Sequence, residues 1–321
     1  MDGIILINKE KEWTSHDVVA KVKKLLKVKV GHTGTLDPNA TGVLPLLLGN
    51  ATKISKYLIN HDKEYIAELK LGIKTDTADG EGKIIAEKKV DIEQLLLNKI
   101  SNSMDENCCK GQIYENCNNN EILNKKLQEV LNDFIGKSLQ KPPMYSAIKV
   151  NGKKLYEYAR NKQEIEVKPR EIEIYKIELI EFNIKENIIK FKVSCSKGTY
   201  IRTLCENIAE KLDTYGYMKE LQRTQVGEFN IKDAITISEL EEKIKNNEEV
   251  NNSKNKYFIS IEKMFSNYDK IELDKEKLYK FLNGVMINNN NFDGIYRIYN
   301  ENKFIGLGIN SDKKLKRDVI I

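Results

Sequence analysis

The chain has 321 residues, longer than one typical domain, which suggests a main domain plus a smaller one with ample length to bury a core. Its net charge of +5 suits a polyanionic partner but is equally an ordinary solubilising balance, so charge by itself decides little. The five cysteines, Cys108, Cys109, Cys117, Cys195 and Cys205, are odd in number and follow no secretory signal, and no apolar run is long enough for a bilayer, so a disulfide-stapled secreted domain and a membrane protein are excluded in favour of a reduced, cytoplasmic setting.

Residues 3–7 read as a buried strand. Thr14 and Asp17 form a capping box that opens a helix to about residue 27, with Val18, Val22 and Leu25 on its inner face. The stretch 31–49, GHTGTLDPNATGVLPLLLG, is unlike the Lys-, Asn- and Ile-rich chain around it. Its glycines permit backbone angles closed to other residues, Pro38 pushes Asp37 towards an extended conformation, and the apolar run 43–48 anchors the whole. Such a loop presents one carboxylate, Asp37, rigidly. A helix follows over 51–58, with Lys53 facing phosphate or water.

Residues 65–71 alternate, with Tyr65, Ala67, Leu69 and Leu71 on the core side. Thr75, Asp76, Thr77, Asp79, Gly80 and Gly82 then make a polar turn that ends a strand rather than holding a cation. Residues 98–121 are rich in Asn, Cys and Lys without periodicity and read as a flexible insertion. Their three cysteines lack a fourth ligand, so no zinc site is assigned.

Helical spacing returns over 122–135 through Leu123, Leu127, Val130, Leu131 and Phe134. Residues 147–150 are extended, Asn151-Gly152 signals a tight turn, and a helix covers 155–160. Two strands, 170–182 and 188–195, form a hairpin feeding the loop 196–200. A helix opens near Thr203 with Leu204, Ile208 and Leu212 inward, which leaves Tyr200 and Arg202 between strand and helix, where functional side chains are common. An Asn- and Lys-rich stretch through residue 256 reads as a linker or surface loop, and a boundary falls near residue 270. Residues 271–321 then hold a helix over 275–282, a stop at Gly284 and alternating strands 294–299 and 304–309.

The chemistry follows from the loop. A carboxylate near its usual pKa of about 3.9 is ionised at neutral pH and serves as nucleophile or base rather than acid. A hydrolase calls for a second carboxylate or a metal, and phosphoryl transfer for a Gly-x-x-x-x-Gly-Lys-Ser/Thr loop, which is absent. An isomerisation needs neither water nor an energy carrier, so no cofactor is called for.

Five blocks in fixed order carry a family resemblance. GHTGTLDPNATGVLPLLLGNATK, KEYIAELKLGIKTDTADGEG from Lys63, QKPPMYSAIKVNGKKLYEYAR from Gln140, CSKGTYIRTLCENIAEKL from Cys195 and LQRTQVGEF from Leu221 resemble the TruB-type tRNA pseudouridine-55 synthases across most of residues 1–230. The family's usual Lys-Pro-x-Gly-x-Thr/Ser-Ser entry appears here with Lys9, Glu10, Glu12, Thr14 and Ser15, lacking the proline and the glycine.

The resemblance implies an α+β fold. A mixed, largely antiparallel sheet forms the catalytic domain, residues 1–270, and residues 271–321 form a small C-terminal β-barrel similar to an RNA-binding PUA domain. It implies conversion of uridine to pseudouridine in the TΨC arm of tRNA, with Asp37 as the reacting carboxylate, Arg202 paired to it, and Tyr65 stacking on the flipped base. Tyr200 and Leu221 would line the pocket, and His32 would fill the space vacated in the RNA. The protein would act as a monomer without protein partners. The route, through attack on the sugar, attack on the base or a glycal, stays open, as do a guide-RNA-dependent synthase and a non-catalytic tRNA chaperone as other readings.

Overall fold

A computed structural model describes residues 1–90, 119–161, 163, 165–252 and 254–321, which divide into two compact units. The expected insertion at 98–121, with Cys108, Cys109 and Cys117, lies outside the described residues except for its last three positions. The first unit takes both ends of the chain, Met1–Asn60 and Phe229–Ile321, and the second is His61–Glu228.

The first unit opens with β1 (Gly3–Lys9) and α1 (Ser15–Leu26). The capping box forms as the sequence requires: Thr14 Oγ1 accepts from the Asp17 N–H at 3.1 Å, and the Asp17 carboxylate accepts from the Thr14 N–H at 2.9 Å. Val18 and Val22 are buried. Next come β2 (Val30–His32) and β3 (Thr41–Leu48), which is antiparallel to β1 from Gly3 opposite Leu48 to Lys9 opposite Gly42. The helix expected after the loop is a 3-10 turn, Gly49–Ile54, running into the short α2 (Ser55–Leu58).

The second unit is built on β4 (Lys63–Leu71), whose buried residues fall on Tyr65, Ala67, Leu69 and Leu71, as the alternation requires. A small hairpin follows, β5 (Ile73–Thr75) and β6 (Ile84–Glu87), and then α3 (Asn119–Asn132). After α3 come β7 (Gly136–Gln140), the hairpin β8 (Lys149–Val150) and β9 (Lys153–Lys154), and α4 (Leu155–Arg160). Asn151 and Gly152 both have positive φ, 51° and 84°, the turn their dipeptide signals.

The unit closes with β10 (Arg170–Asn183), β11 (Ile188–Cys195), α5 (Ile201–Lys211) and β12 (Gly216–Val226). Its main sheet runs β12-β4-β11-β10-β7, antiparallel at every step. Gln128 of α3 docks beside a β10 irregularity: its amide donates to Ile177 O at 3.0 Å and accepts from Leu179 N–H at 2.7 Å. A side chain thus satisfies backbone groups of β10 beyond Ile174, where its pairing with β7 ends. Cys195 and Cys205 are buried free thiols, and burial pushes Cys195 up to about 12.

The chain returns to the first unit through β13 (Phe229–Asn230), α6 (Ile237–Lys245), β14 (Phe258–Ser260) and α7 (Ile261–Met264). β14 pairs antiparallel with β1, so β1 lies between strands from opposite ends of the chain. Ile5, Ile7, Val22, Leu46, Leu240 and Phe258 belong to the shared core. The Asn- and Lys-rich stretch is folded against it: Val250 is buried, and the Asn255 amide donates to Glu249 O and Val250 O.

The last segment holds β15 (Lys270–Glu272), α8 (Lys275–Leu282), β16 (Ile287–Asn288), β17 (Gly294–Asn300), β18 (Lys303–Ser311) and β19 (Lys314–Ile320). They form a curled sheet in the order β15-β17-β18-β19-β16, the half-barrel form of the small barrel expected. Its core is Leu273, Phe281, Ile287, Tyr296, Ile298 and Leu315. Gly306 is obligatory there, because a Cβ would stand 2.1 Å from Val319 O. The sheet is tied back to the N-terminal segment by Tyr57 and Lys56, which both engage the Asp318 carboxylate, and by Lys53 Nζ, which donates to Ile320 O at 2.7 Å.

Candidate active site

Asp37 sits in the turn between β2 and β3, half-buried, with its carbonyl accepting from Ala40 N–H at 3.1 Å. The residues on either side of it are fixed from the chain's beginning. Buried Ser15 exchanges hydrogen bonds with Leu36, accepting from its N–H at 2.9 Å and donating to its carbonyl at 3.2 Å. Lys9, 1% exposed, donates to Pro38 O at 2.8 Å, Trp13 O at 2.6 Å and Glu10 O at 2.9 Å. Pro38 O also accepts from Glu12 N–H at 3.0 Å.

One buried ammonium therefore clamps the Asp37 loop to the turn before α1. Lys9→Met would leave carbonyls without a donor in a dry site. We expect it to cost about 2–4 kcal/mol of stability, read as a lower urea midpoint. The same turn explains the missing glycine: Glu12 occupies that position with φ 67°, a left-handed angle that glycine adopts without strain.

His32 lies just before the loop, half-buried, its ring edge-on to His16 at 5.4 Å. Lys53 is exposed, and its ammonium holds the carbonyl of Ile320.

In the second unit, Tyr65 on β4 and Leu221 and Arg223 on β12 share one buried face, with Arg223 the register partner of Tyr65 and Leu221 that of Ala67. The Arg223 guanidinium, 2% exposed, hydrogen-bonds Tyr65; burial lowers its pKa from the ordinary value, and the tyrosine raises it. Burial, and then the Arg223 charge, also lower that of Lys63 on the same strand. The tyrosine ring is thus oriented through its hydroxyl by a fixed cation.

Tyr200 is the N-cap of α5, and buried Gln140 pins both of its backbone groups, accepting from its N–H at 2.8 Å and donating to its carbonyl at 3.0 Å. The helix starts at Ile201, two residues earlier than expected, so Arg202 lies in its first turn. There it is 6% exposed and donates to Tyr145 O at 2.9 Å and Thr77 O at 3.3 Å, and pairs with Asp79 at 3.3 Å. Asp79 also accepts from Thr77 Oγ1 at 2.5 Å and Glu81 N–H at 3.1 Å. The polar turn at 75–82 is therefore a docking point for Arg202.

Within the units, then, the loop joins His32 to Asp37, the β4–β12 pair joins Tyr65 to Leu221, and one helix start joins Tyr200 to Arg202. In the sequence Lys9 stands only as the lysine of the family's usual entry, and Gln140 and Arg223 only as members of the matched blocks, so none of the three carries an expected role.

Three family models match in succession. "TruB family pseudouridylate synthase (N terminal domain)" covers residues 22–107 and 97–201, "tRNA pseudouridylate synthase B C-terminal domain" covers 202–271, and "Pseudouridine synthase II TruB, C-terminal" covers 270–316. The tRNA pseudouridine synthase B of Clostridium kluyveri is 42% identical over 98% of both chains. That of Clostridium tetani is 39% identical over 96% of this chain and 95% of its own. Among solved structures, a Cbf5-Nop10-Gar1 complex contains a chain similar in fold, with a TM-score of 0.63 at 23% identity over 99% of this chain and 83% of that one.

Proposed function

The chain belongs to the TruB family of pseudouridylate synthases and isomerises uridine to pseudouridine in tRNA; from this premise we propose that the target is the T-arm uridine at position 55 and that Asp37 is the reacting carboxylate. The observation that carries the assignment of Asp37 is the clamp on its loop. Ser15 on one side and Lys9 on the other preset the carboxylate's position before substrate arrives, which is how enzymes lower the cost of orientation.

The reaction breaks the N1–C1′ bond, rotates the uracil and forms a C5–C1′ bond; C5 gives up its proton and N1 takes one, so the product is an isomer. A base inside a structured arm must first be extruded, at a cost of about a few kcal/mol. We assign Tyr65 to offset that cost by stacking, worth about 1–3 kcal/mol per base, with Arg223 holding its ring. Arg202 is assigned to orient and balance the Asp37 carboxylate, Tyr200 and Leu221 to border the base, His32 to occupy the vacated stack, and Lys53 to meet phosphate. No cofactor enters this scheme.

Among the described residues no helix is long and apolar enough to cross a membrane. We further propose a monomer acting in the cytoplasm without protein partners. The Cbf5 likeness, at 23% identity, speaks for the fold alone, while relatives near 40% identity over full length bear the tRNA name. Purified protein incubated with unmodified tRNA transcript should therefore form pseudouridine at the single T-arm uridine without any guide RNA, mapped by carbodiimide-dependent primer extension. An idle protein that becomes active on addition of a guide RNA would reverse the assignment.

A further inference from the structure

Helices α1, α6, α7 and α8 are each opened by their own Thr, Ser or Asp, whose side-chain oxygen accepts a backbone N–H of the first turn. Helix α5 is opened differently: its N-cap is Tyr200, whose side chain makes no capping bond. A tyrosine gains the helix nothing at that position, where Ser, Thr, Asp and Asn are the stabilising choices. The support comes instead from β7. Gln140, 6% exposed, accepts from the Tyr200 N–H, the place that Asp17 and Glu239 fill from within α1 and α6, and donates to the Tyr200 carbonyl. That carbonyl also accepts from Leu204 N–H at 3.1 Å, the first bond of the helix.

The same strand end reaches Arg202 by a second route. Lys141, Pro142, Pro143 and Met144 link Gln140 to Tyr145, whose carbonyl accepts from Arg202 Nη2 at 2.9 Å. The two prolines fix φ within that link, and Pro142 is buried. The segment is thus tied at both ends to the first turn of α5. Gln140 is itself the register partner of Arg170 on β10, so the tie is anchored in the sheet and not in a loop. On the approach to α5, the Ser196 N–H donates to Glu173 O at 2.8 Å, and its hydroxyl accepts from the Glu173 N–H at 2.9 Å.

We propose that Gln140 is a positioning residue for the isomerisation: its amide sets where α5 begins, and with it where Tyr200 and Arg202 hold their side chains. It acts through those two residues, and so rests on the roles assigned to them above. Without the amide, the Tyr200 N–H loses its acceptor and the first turn of α5 is free to unwind or to start elsewhere. A start displaced by one residue turns the Arg202 guanidinium by about 100° around the helix axis, away from the Tyr145 carbonyl and Asp79.

The test is single-turnover pseudouridine formation on unmodified tRNA transcript, with enzyme in excess, for wild type, Gln140→Met and Gln140→Glu. Met keeps the length and loses both bonds, so the saturating rate falls about 10²-fold, while the enzyme concentration giving half that rate stays within about threefold. Glu keeps the shape and the bond from the Tyr200 N–H but sets a carboxylate oxygen against the Tyr200 carbonyl, and loses roughly tenfold in rate. Amide hydrogen exchange over residues 200–204 speeds up by roughly tenfold in Gln140→Met, with β4 and β11 unchanged. A wild-type saturating rate in Gln140→Met overturns the proposal, as does a loss confined to half-saturation, which would make Gln140 an RNA-binding group. Should the Met variant fail to fold, the decision passes to Gln140→Glu, whose wild-type rate overturns the proposal equally. A wild type that forms no pseudouridine brings down the functional assignment and this proposal together; an active wild type indifferent to Gln140 brings down the proposal alone.

Discussion

Asp37→Asn abolishes pseudouridine formation, by a factor on the order of 10⁴ or more, while tRNA affinity stays within about threefold of wild type. Asn is nearly isosteric with Asp, so the Ser15–Leu36 and Lys9–Pro38 clamps and the Ala40 N–H contact to the residue 37 carbonyl all survive. What disappears is the negative charge, and with it any covalent bond to the sugar or the base and any proton abstraction by this residue. The large factor is common to all three routes, so the experiment assigns the residue without choosing among them. Tritium release from tRNA labelled at uracil C5 reads the reaction directly, because C5 loses its hydrogen only when the new glycosidic bond forms. Turnover within tenfold of wild type would remove Asp37 from the chemistry.

The second large effect is expected at Arg202. Arg202→Met strips a buried cation from Asp79, whose side chain is only 14% exposed, and leaves the carbonyls of Thr77 and Tyr145 without that donor. Breaking a buried pair from one side costs about 3–5 kcal/mol, seen as a lower urea midpoint. Activity of the folded fraction should fall by a further 10²–10³, about what one charge-stabilising donor contributes to a reaction. Two conservative variants separate the effects. Asp79→Asn keeps the guanidinium and its bonds to the Thr77 and Tyr145 carbonyls but takes away one carboxylate partner, so it should disturb stability with a smaller loss of turnover. Arg202→Lys keeps a positive charge but not the planar fork that reaches two carbonyls and a carboxylate together. Wild-type stability and turnover in Arg202→Met would remove both roles.

Local signals were legible wherever local physics decides the outcome. The Thr14–Asp17 box, the alternation over β4 and the Asn151-Gly152 turn all form, because each depends on residues a few positions apart. The Asp37 loop stood out through its glycines, its proline and its likeness to a family. Strands β7, β12 and β19 escaped notice. β12 mixes Lys219, Glu220 and Arg223 into its run and breaks phase at two irregularities, so no clean period of two survives. The supports of the candidate site were hidden for another reason. Lys9 is followed by Glu10, Lys11 and Glu12, and its burial depends on carbonyls up to 29 positions away. Gln140 meets Tyr200 across 60 positions, and Arg202 meets Asp79 across 123. No window of neighbouring residues contains those partners. The resemblance supplied Arg202 as a functional residue; it supplied neither Gln140 nor Arg223.

The pairing of β1 with both β3 and β14 also sets a schedule for synthesis. Gly3 faces Leu48 on one side and Ser260 on the other, so β1 leaves the ribosome about 250 residues ahead of one of its neighbours and waits for it. At about 5–20 residues per second, those roughly 250 residues take on the order of ten to fifty seconds. The unit at His61–Glu228 has a continuous chain and can begin folding inside that interval. Meanwhile Ile4 and Ile5 stand in a strand with an unmet edge, a template for wrong partners. Aggregation during expression should therefore track conditions that slow elongation beyond Glu228, even where the finished protein is stable.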